Sequence, residues 1–523
     1  MFKSESGAER SNARRPDRGG RSTVFGTRGA VACEHPSAAV AGLRVLDEGG
    51  TAADACVAMA AAMAVVGPMA TGMGGDAFLL FYEAASGRVI GANGSGVAPT
   101  AATTEKLRGA GFDEMPERGG PPITVPGAVR LWQDAANSLG NLPLARLLEP
   151  AYELAENGFP VSEVFARYWE IAEDLLREDE AAAKALLSDG RAPRPGEVFA
   201  QEDLADTLSA VAEGGADAFY NGRIARSMAE AAQRAGGYLS EGDLAAHETL
   251  WVEPISTDYR GVRVYEIPPP GQGIAALEML AYGDLYREIG DPEFWLDPPV
   301  PTERLISKEY ADSLRENISP DRAEGPTVEP PLGEDTTYLC AVDAEGNGCS
   351  FINSLYVGFG SGVVAPGTGI CLQNRGFSFS LDPNHPNGLA PGKRPMHTII
   401  PGLATREGAL WAVFGNMGGP MQPQGHAQVL SNLIDHGMSA QEAVDHPRHL
   451  HLDGTLFVEG RLPEREVGRL REKGHAVEVG EDYIVPVGGA QVIRVHEDGV
   501  RACGSDPRKD GCALAQGPDG EGR

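Results

Sequence analysis

The chain has 523 residues and a formal net charge of -30, with 74 acidic against 44 basic residues. Such an acidic balance disfavours nucleic acids and anionic membranes as partners, because both attract clusters of Lys and Arg. A chain of this length can bury roughly three quarters of its unfolded surface, which allows a large core. Length alone suggests about three domains.

Residues 1–22 differ from the rest, because their arginines lie among Ser, Gly, Asn and Pro. This composition predicts a disordered basic tail. No apolar stretch typical of a secretory signal follows the tail, and no run of about 18 apolar residues occurs. We therefore expect a cytoplasmic protein without a membrane span. The longest apolar run, Ala52–Val66, contains Asp54 and stops at Gly67-Pro68, which favours a buried helix.

The first half of the chain alternates helical patterns with glycine-rich turns. Apolar residues at intervals of three and four are typical of helices that pack against a core, whereas apolar β-prone runs predict strands. The predicted helices are Pro36–Gly49, Ala52–Val66, Leu142–Asn157 and Ile224–Arg234, and the predicted strands are Ala77–Tyr82 and a region from Tyr259 to Pro268.

No metal or other cofactor is expected. The seven cysteines are odd in number and lie mostly in apolar runs, which indicates buried free thiols. The chain contains no CxxC pair and no HExxH, and the spacing within His446–His451 fits no metal site that we recognise.

A β-hairpin is predicted from Thr337–Asp343 and Cys349–Tyr356, because two apolar β-prone runs flank a turn around Gly346. Antiparallel pairing brings Ser354 to the level of Thr336. A threonine hydroxyl becomes a good nucleophile only when a base removes its proton. If the Asp335–Thr336 bond is cut, the freed α-amino group of Thr336, with a pKa of about 7.7 to 8.0, can be that base. Ordinary strand hydroxyls are the alternative interpretation.

The segment before this hairpin, Ile318–Glu334, is rich in Pro, Gly and acidic residues. We expect it to be flexible and exposed, so that it can reach into the site before cleavage and move away afterwards. An inert surface loop is the alternative.

The segment from Asp335 to Asn374 resembles the maturation site of γ-glutamyltranspeptidases, which are self-cleaving N-terminal-nucleophile hydrolases. Further motifs match in family order: Thr71–Asp76, Tyr259–Gly261, Pro268–Gly273, Lys393–Pro395, Gly418-Gly419 and Ser505–Arg508. The resemblance implies one compact α+β unit, a four-layer αββα sandwich. It further implies cleavage into a large subunit (residues 23–335) and a small subunit (residues 336–523), and it allows two such cleaved copies to pair.

By this resemblance Thr336 is the nucleophile, Thr337 and Ser354 orient its groups, and Gly418 and Gly419 form the oxyanion hole. A double glycine is otherwise a common turn. The residues that bind a γ-glutamyl group in the family are replaced here. The replaced positions hold Ser95, Tyr356, Ser378, His397 and Thr398. Arg375 lies close to this changed region and could hold a small carboxylate by a two-point fork.

These departures predict a self-processing amidohydrolase for a small, carboxylate-bearing amide resembling oxamate. Three alternatives remain: a γ-glutamyltransferase or glutathione hydrolase with a rearranged glutamyl site, an acylase resembling cephalosporin acylases, and an uncleaved binding protein. As alternatives to substrate contact, Arg375 is a salt-bridge residue, His397 a structural hydrogen bonder and Tyr356 a core aromatic.

Overall fold

The computed structural model describes residues 20–278, 291–294, 302–316, 321–322 and 335–518. The predicted tail lies outside these ranges except for residues 20–22, and the predicted flexible segment Ile318–Glu334 lies outside them except for residues 321–322. Within the described ranges, no helix is long and apolar enough to cross a bilayer.

The strands, in chain order, are β1 (Val24–Gly26), β2 (Ala30–Cys33), β3 (Asp76–Glu83), β4 (Arg88–Gly94), β5 (Phe159–Pro160), β6 (Val198–Phe199), β7 (Leu250–Val252), β8 (Ile255–Tyr259), β9 (Val262–Glu266), β10 (Asp335–Val342), β11 (Gly348–Tyr356), β12 (Val364–Ala365), β13 (Ile370–Cys371), β14 (Gly402–Arg406), β15 (Ala409–Met417), β16 (His449–Leu452), β17 (Thr455–Val458), β18 (Ala476–Val479), β19 (Gly489–Val495), β20 (Arg501–Ser505) and β21 (Cys512–Ala515).

The α-helices are α1 (Pro36–Asp47), α2 (Ala52–Val66), α3 (Thr104–Gly109), α4 (Ala128–Leu139), α5 (Leu144–Asn157), α6 (Glu163–Ile171), α7 (Glu173–Glu178), α8 (Glu180–Leu186), α9 (Glu202–Gly214), α10 (Ala216–Tyr220), α11 (Gly222–Arg234), α12 (Glu241–Ala245), α13 (Gly273–Glu278), α14 (Thr302–Leu305), α15 (Lys308–Glu316), α16 (Met421–Ile434), α17 (Ala440–Asp445) and α18 (Glu464–Glu472). Short 3-10 helices cover Pro292–Phe294, Arg375–Ser378 and Val485–Val487.

Two antiparallel sheets form the centre of the molecule. In the part of the chain that the structure describes, the first sheet has the strand order β21-β2-β10-β11-β3-β4-β7 and the second has the order β1-β20-β19-β15-β14-β9-β8. Three short sheets lie outside them, formed by β5-β6, β12-β13 and β16-β17-β18.

Alternation along β10 shows how the layers are arranged. Tyr338 and Cys340 join a buried cluster with residues of the second sheet, such as Val413. Leu339 and Ala341 join a different cluster, made with the helices α1, α2, α4 and α5. Since side chains alternate between the two faces of a strand, the first sheet lies between the second sheet and a helical layer.

The other side of the second sheet is covered by helices as well. Val264, Ala412 and Phe414 from this sheet pack with Leu430 of α16 and Val444 of α17. The layers therefore run helix, sheet, sheet, helix. This arrangement confirms the α+β sandwich that the resemblance implied.

Helix α2 is the element that the sequence predicted most closely. Its cap is Thr51, whose side chain accepts a hydrogen bond from the Asp54 backbone while Asp54 in turn bonds the Thr51 backbone. This reciprocal capping box satisfies two backbone donors at the start of the helix. Every residue of α2 is buried, as expected for a helix that is apolar on all sides.

The other predicted elements are confirmed with small changes at their ends. The helices predicted from Leu142 and Ile224 begin at Leu144 and Gly222, and the region from Tyr259 to Pro268 contains the end of β8 and all of β9. All seven cysteines lie in described segments and are unpaired, and only Cys512 is partly exposed.

The two sheets approach closely where Gly415 of β15 faces Tyr338 of β10. A Cβ atom at Gly415 would lie 2.3 Å from the Tyr338 ring. We expect Gly415→Ala to lower the free energy of unfolding by about 1–3 kcal/mol, because overpacking a tight core displaces rings and backbone. Urea unfolding followed by circular dichroism measures the change.

The matched control is Gly468→Ala in α18, where a Cβ atom would meet nothing within 4 Å. There, alanine favours the helix by roughly 1 kcal/mol over glycine. Equal stabilities of the two variants would contradict the close approach of the sheets.

Candidate active site

The predicted hairpin is present and places Thr336 beside Ser354. Asp335 pairs with Tyr356 and Thr337 pairs with Asn353, so two residues of β11 face the single residue Thr336 between them. This is a β-bulge, a feature that re-aims side chains and is frequent next to active sites. The hydroxyl oxygens of Thr336 and Ser354 lie 3.0 Å apart, and both residues are buried.

A third polar residue continues this line across the sheet. Asp76, the first residue of β3, is the direct cross-strand partner of Ser354. Side chains directly opposite each other on antiparallel strands share a face of the sheet. Thr336, Ser354 and Asp76 therefore form a polar row across β10, β11 and β3.

Arg375 lies over this row and is fully buried. It donates from Nη1 to the Thr398 hydroxyl over 2.9 Å and from Nη2 to the Ser354 hydroxyl over 3.3 Å. Its guanidinium carbon lies 4.0 Å from the centre of the Tyr356 ring. Burial lowers the pKa of Arg375 to about 10, so the group stays cationic at neutral pH.

Arg375 is bound by hydroxyl groups rather than by a carboxylate among the described residues, although Asp76 lies near enough to offset part of the decrease in pKa that burial causes. Its buried Nε has no hydrogen-bond partner in the same part of the chain. Isolated buried charges are costly unless paired. The site therefore contains a buried guanidinium close to Thr336 that still has an N–H group available to a ligand.

Tyr356 holds an unusual backbone conformation beside Asp335. Its φ angle is 85°, in the left-handed region that side chains other than glycine rarely adopt. Its backbone N–H donates to the Ser354 hydroxyl over 2.9 Å. Burial raises the pKa of the Tyr356 phenol to about 12, so this ring is neutral and serves as a platform for Arg375.

His397 and Asp76 form a buried pair at the end of the polar row. His397 Nε2 lies 2.9 Å from Asp76 Oδ2. The other oxygen of Asp76 accepts hydrogen bonds from the Gly96 backbone and the Gln373 amide. Because a carboxylate accepts, we assign the imidazole proton to Nε2. Burial, assisted by the nearby Arg375, lowers the pKa of His397 to about 4.

The double glycine lies between the end of β15 and the start of α16. Gly418 and Gly419 have φ angles of 126° and 51°, which favour glycine. The Gly418 carbonyl accepts from the Met421 backbone N–H over 2.9 Å. In a trans peptide the C=O and the following N–H point in opposite directions, so the Gly419 N–H points away from α16.

Gln272 links this loop to the residues around Arg375. Its buried side-chain amide donates to the Gly419 carbonyl over 2.9 Å and also to the Thr398 carbonyl. Its backbone N–H donates to the His397 carbonyl over 3.0 Å. The two glycines are thereby connected to Arg375 and Thr336 through a continuous series of hydrogen bonds.

The family sequence profile described as Gamma-glutamyltranspeptidase matches residues 38–287 and 279–516. The chain belongs to the γ-glutamyltranspeptidase family. It is 40% identical over 525 residues to the Glutathione hydrolase-like YwrD proenzyme of Bacillus subtilis (strain 168), an alignment that covers 94% of this chain and 99% of the relative.

A second relative is the Oxamate amidohydrolase proenzyme of Klebsiella pneumoniae subsp. pneumoniae, 36% identical over 531 residues, with coverage of 94% and 99%. The solved structure of cephalosporin acylase from Bacillus halodurans is similar with a TM-score of 0.90 and 41% identity, covering 97% of this chain and 99% of that one. This γ-glutamyltranspeptidase-family protein is therefore an enzyme with the fold of N-terminal-nucleophile hydrolases.

Three of the residues that the resemblance assigned to this site make no hydrogen bond with the side chains of Thr336, Ser354 or Arg375, and the buried Thr337 hydroxyl has no partner among the described residues. The Ser95 hydroxyl donates to Asn93 over 2.6 Å, and Ser378 bonds the backbone carbonyls of Arg375 and Met396. Thr337 follows the alternation of β10 to the helix-facing side. Their roles at the site stay predictions, whereas Tyr356, Arg375, His397 and Thr398 are joined by contacts around Ser354 and Asp76.

Two residues of the site were missed from the sequence as functional candidates. Asp76 closes the Thr71–Asp76 motif and begins an apolar strand, which is the signal that could have singled it out. Gln272 lies inside the Pro268–Gly273 motif, but nothing in its position along the chain indicated that it reaches Gly419. In the described ranges, no group of three or more His, Cys, Asp or Glu side chains could hold a metal ion.

The neutral state of His397 predicts a pH dependence of stability. A histidine in an unfolded chain has a pKa near 6.5, whereas that of folded His397 is about 4. Between these values the unfolded state binds more protons, so stability should rise with pH from about 4 to 6.5 and level off above. Melting temperatures measured across this range test the prediction.

The variant His397→Gln should flatten part of this slope, because its amide does not titrate. The slope does not vanish, since burial also lowers the pKa values of His35 and His247 to about 4. His436→Gln, at an exposed position, is the control. An unchanged slope in His397→Gln would show that His397 is protonated in the folded protein.

Proposed function

We propose that the protein cuts its own chain between Asp335 and Thr336 and then uses Thr336 as an N-terminal nucleophile to hydrolyse a small, carboxylate-bearing amide. The 3.0 Å contact between the hydroxyls of Thr336 and Ser354, next to the buried guanidinium of Arg375, is the observation that carries this proposal. The proenzyme names of both curated relatives support self-processing.

The chemistry follows from the groups around Thr336. Its hydroxyl oxygen attacks the amide carbonyl, and its freed amine takes the hydroxyl proton and passes it to the leaving amine. The backbone N–H groups of Gly418 and Gly419 stabilise the oxyanion. Water then attacks the resulting ester, the acid leaves, and the Thr336 hydroxyl is restored.

Arg375 defines the acyl group in this proposal. Its contact with Ser354 keeps the Nη2 atom within about 6 Å of the Thr336 hydroxyl oxygen. A carboxylate separated by only a few bonds from the reacting carbonyl can reach Arg375 from there, as in a dicarboxylic half-amide. The name of the Klebsiella pneumoniae relative, an oxamate amidohydrolase, agrees with this class of substrate.

A second candidate is an acylase that removes a longer, carboxylate-bearing acyl group. The similarity to the cephalosporin acylase structure over 97% of this chain favours it. The two candidates share Thr336 and Arg375 and differ in the length of the acyl group. Cytoplasmic location and pairing of two cleaved copies are further proposals that rest on the sequence.

The variant Thr336→Ala tests self-processing. The wild type should give two polypeptides, residues 1–335 and 336–523 before any trimming, whereas the variant should stay uncut because it lacks the attacking hydroxyl. Intact mass under denaturing conditions distinguishes the two. Thr336→Ser keeps a hydroxyl and should still be cut, although more slowly. Cleavage of the alanine variant would rule out Thr336 as the nucleophile.

The variant Arg375→Met tests the carboxylate site. Loss of a charged hydrogen bond should lower kcat/KM for half-amides such as oxamate by about 10- to 100-fold. Ammonia release measures the rate, and Arg226→Met, which replaces an exposed arginine, is the control. A wild-type enzyme that hydrolyses a γ-glutamyl anilide in preference to half-amides would contradict the proposed substrate class.

A further inference from the structure

The buried pair of Asp76 and His397 leaves one imidazole nitrogen unused. His397 Nε2 is bound to Asp76, and the buried Nδ1 has no hydrogen-bond partner among the described residues. With the proton on Nε2, Nδ1 carries a lone pair and can only accept. A buried acceptor without a partner costs free energy, and a ligand with a donor group would remove this cost.

His397 lies close to the residues that would bind the acyl half of a substrate. Asp76 is the cross-strand partner of Ser354, and Thr398, the residue after His397, accepts from Arg375. Neighbouring strands lie about 4.8 Å apart, so Asp76 is roughly two strand spacings from Thr336 along the polar row. Asp76 and its partner His397 therefore lie across Ser354 from the nucleophile, and His397 directly precedes the residue whose hydroxyl accepts from Arg375.

The charge around His397 distinguishes between possible donors. Burial lowers the pKa of His397, as do the cations Arg375 and Arg394, whereas the Asp76 carboxylate bound to Nε2 raises it. An ammonium group placed between Arg375 and His397 would be repelled by both guanidinium groups. The Asp76 carboxylate would attract it, but both oxygens of Asp76 already accept hydrogen bonds, from His397, Gly96 and Gln373. A hydroxyl or an amide N–H carries no such penalty. A carboxylate oxygen would face the lone pair of Nδ1 and is disfavoured there.

We propose that His397 Nδ1 is a specificity-determining acceptor, and that the preferred acyl group carries a neutral donor, a hydroxyl or an amide N–H, next to its carboxylate. Oxamate has no carbon that could bear this donor, so the preferred half-amide is longer than oxamate by at least one carbon. The carboxylate binds Arg375 and the donor binds His397. This inference rests on the proposed function, because it places the acyl group between Thr336 and Arg375. A preference for a neutral donor would distinguish this site from one that binds a substrate with an ammonium group next to its carboxylate.

Binding of the product acids tests the proposal without turnover. Succinate, malate and aspartate have the same chain and differ at one carbon, which carries hydrogen, hydroxyl or ammonium. We expect the wild-type enzyme at pH 7 to bind one enantiomer of malate about three- to tenfold more tightly than succinate, the effect of one neutral hydrogen bond. Aspartate should bind more weakly than malate. Titration calorimetry gives the dissociation constants.

The same comparison between malonate and hydroxymalonate covers a shorter acyl group. In His397→Phe the advantage of the hydroxyl acids should disappear while the parent acids still bind through Arg375. His397→Gln, which retains both a donor for Asp76 and an acceptor, should keep part of the advantage. Circular dichroism verifies that each variant is folded.

The proposal is overturned if neither hydroxy acid binds more tightly than its parent, if aspartate binds best, or if the preference persists in a folded His397→Phe. Failure of the proposed function has a different signature. It would show as an uncut wild-type chain, or as absence of ammonia release from all half-amides, whichever acids bind.

Discussion

The site depends on the register of three neighbouring antiparallel strands. Ser354 is fixed opposite Asp76 by regular pairing of β11 with β3, and it is placed beside Thr336 by a bulge between β10 and β11. A shift by one residue would turn each of these side chains to the opposite face of its strand. The polar row therefore exists only in this register, which the buried apolar residues on both faces of the sheet enforce.

The remaining groups are attached to this row by side chains rather than by strand pairing. Arg375 bridges Ser354 and Thr398, and Gln272 bridges Thr398 and Gly419. Most of these groups are buried, where hydrogen bonds are stronger and unpaired groups more costly. Among the described residues, the Nε of Arg375 and the Nδ1 of His397 have no hydrogen-bond partner, and neither have the hydroxyl of Tyr356 and the side-chain carbonyl of Gln272.

The sequence predicted those parts of the structure that depend on local patterns. Helix α2 followed from its apolar composition, the Asp54 inside it and its Gly-Pro stop, and the hairpin followed from two β-prone runs around Gly346. The contact of Thr336 with Ser354 was predictable because both residues belong to one hairpin. The bonds of Gln272 with Gly419 and of Asp76 with His397 were not, because each joins segments more than a hundred residues apart. Family positions alone also do not indicate the hydrogen bonds that the Ser95 and Ser378 hydroxyls make with Asn93 and with the Arg375 and Met396 carbonyls.

The order of strands in the two sheets determines what a cut before Thr336 would do to the molecule. In the first sheet β2, which belongs to the polypeptide before the cut, pairs with β21 and β10, which belong to the polypeptide after it. In the same sheet β11, after the cut, pairs with β3, before it. The second sheet likewise joins β14 to β9 and β20 to β1. The two polypeptides could not separate without breaking both sheets. Once unfolded, the two polypeptides would have to reassociate in solution before they could refold. The lifetime of the cleaved protein would therefore depend more on a slow rate of unfolding than on the equilibrium free energy of unfolding.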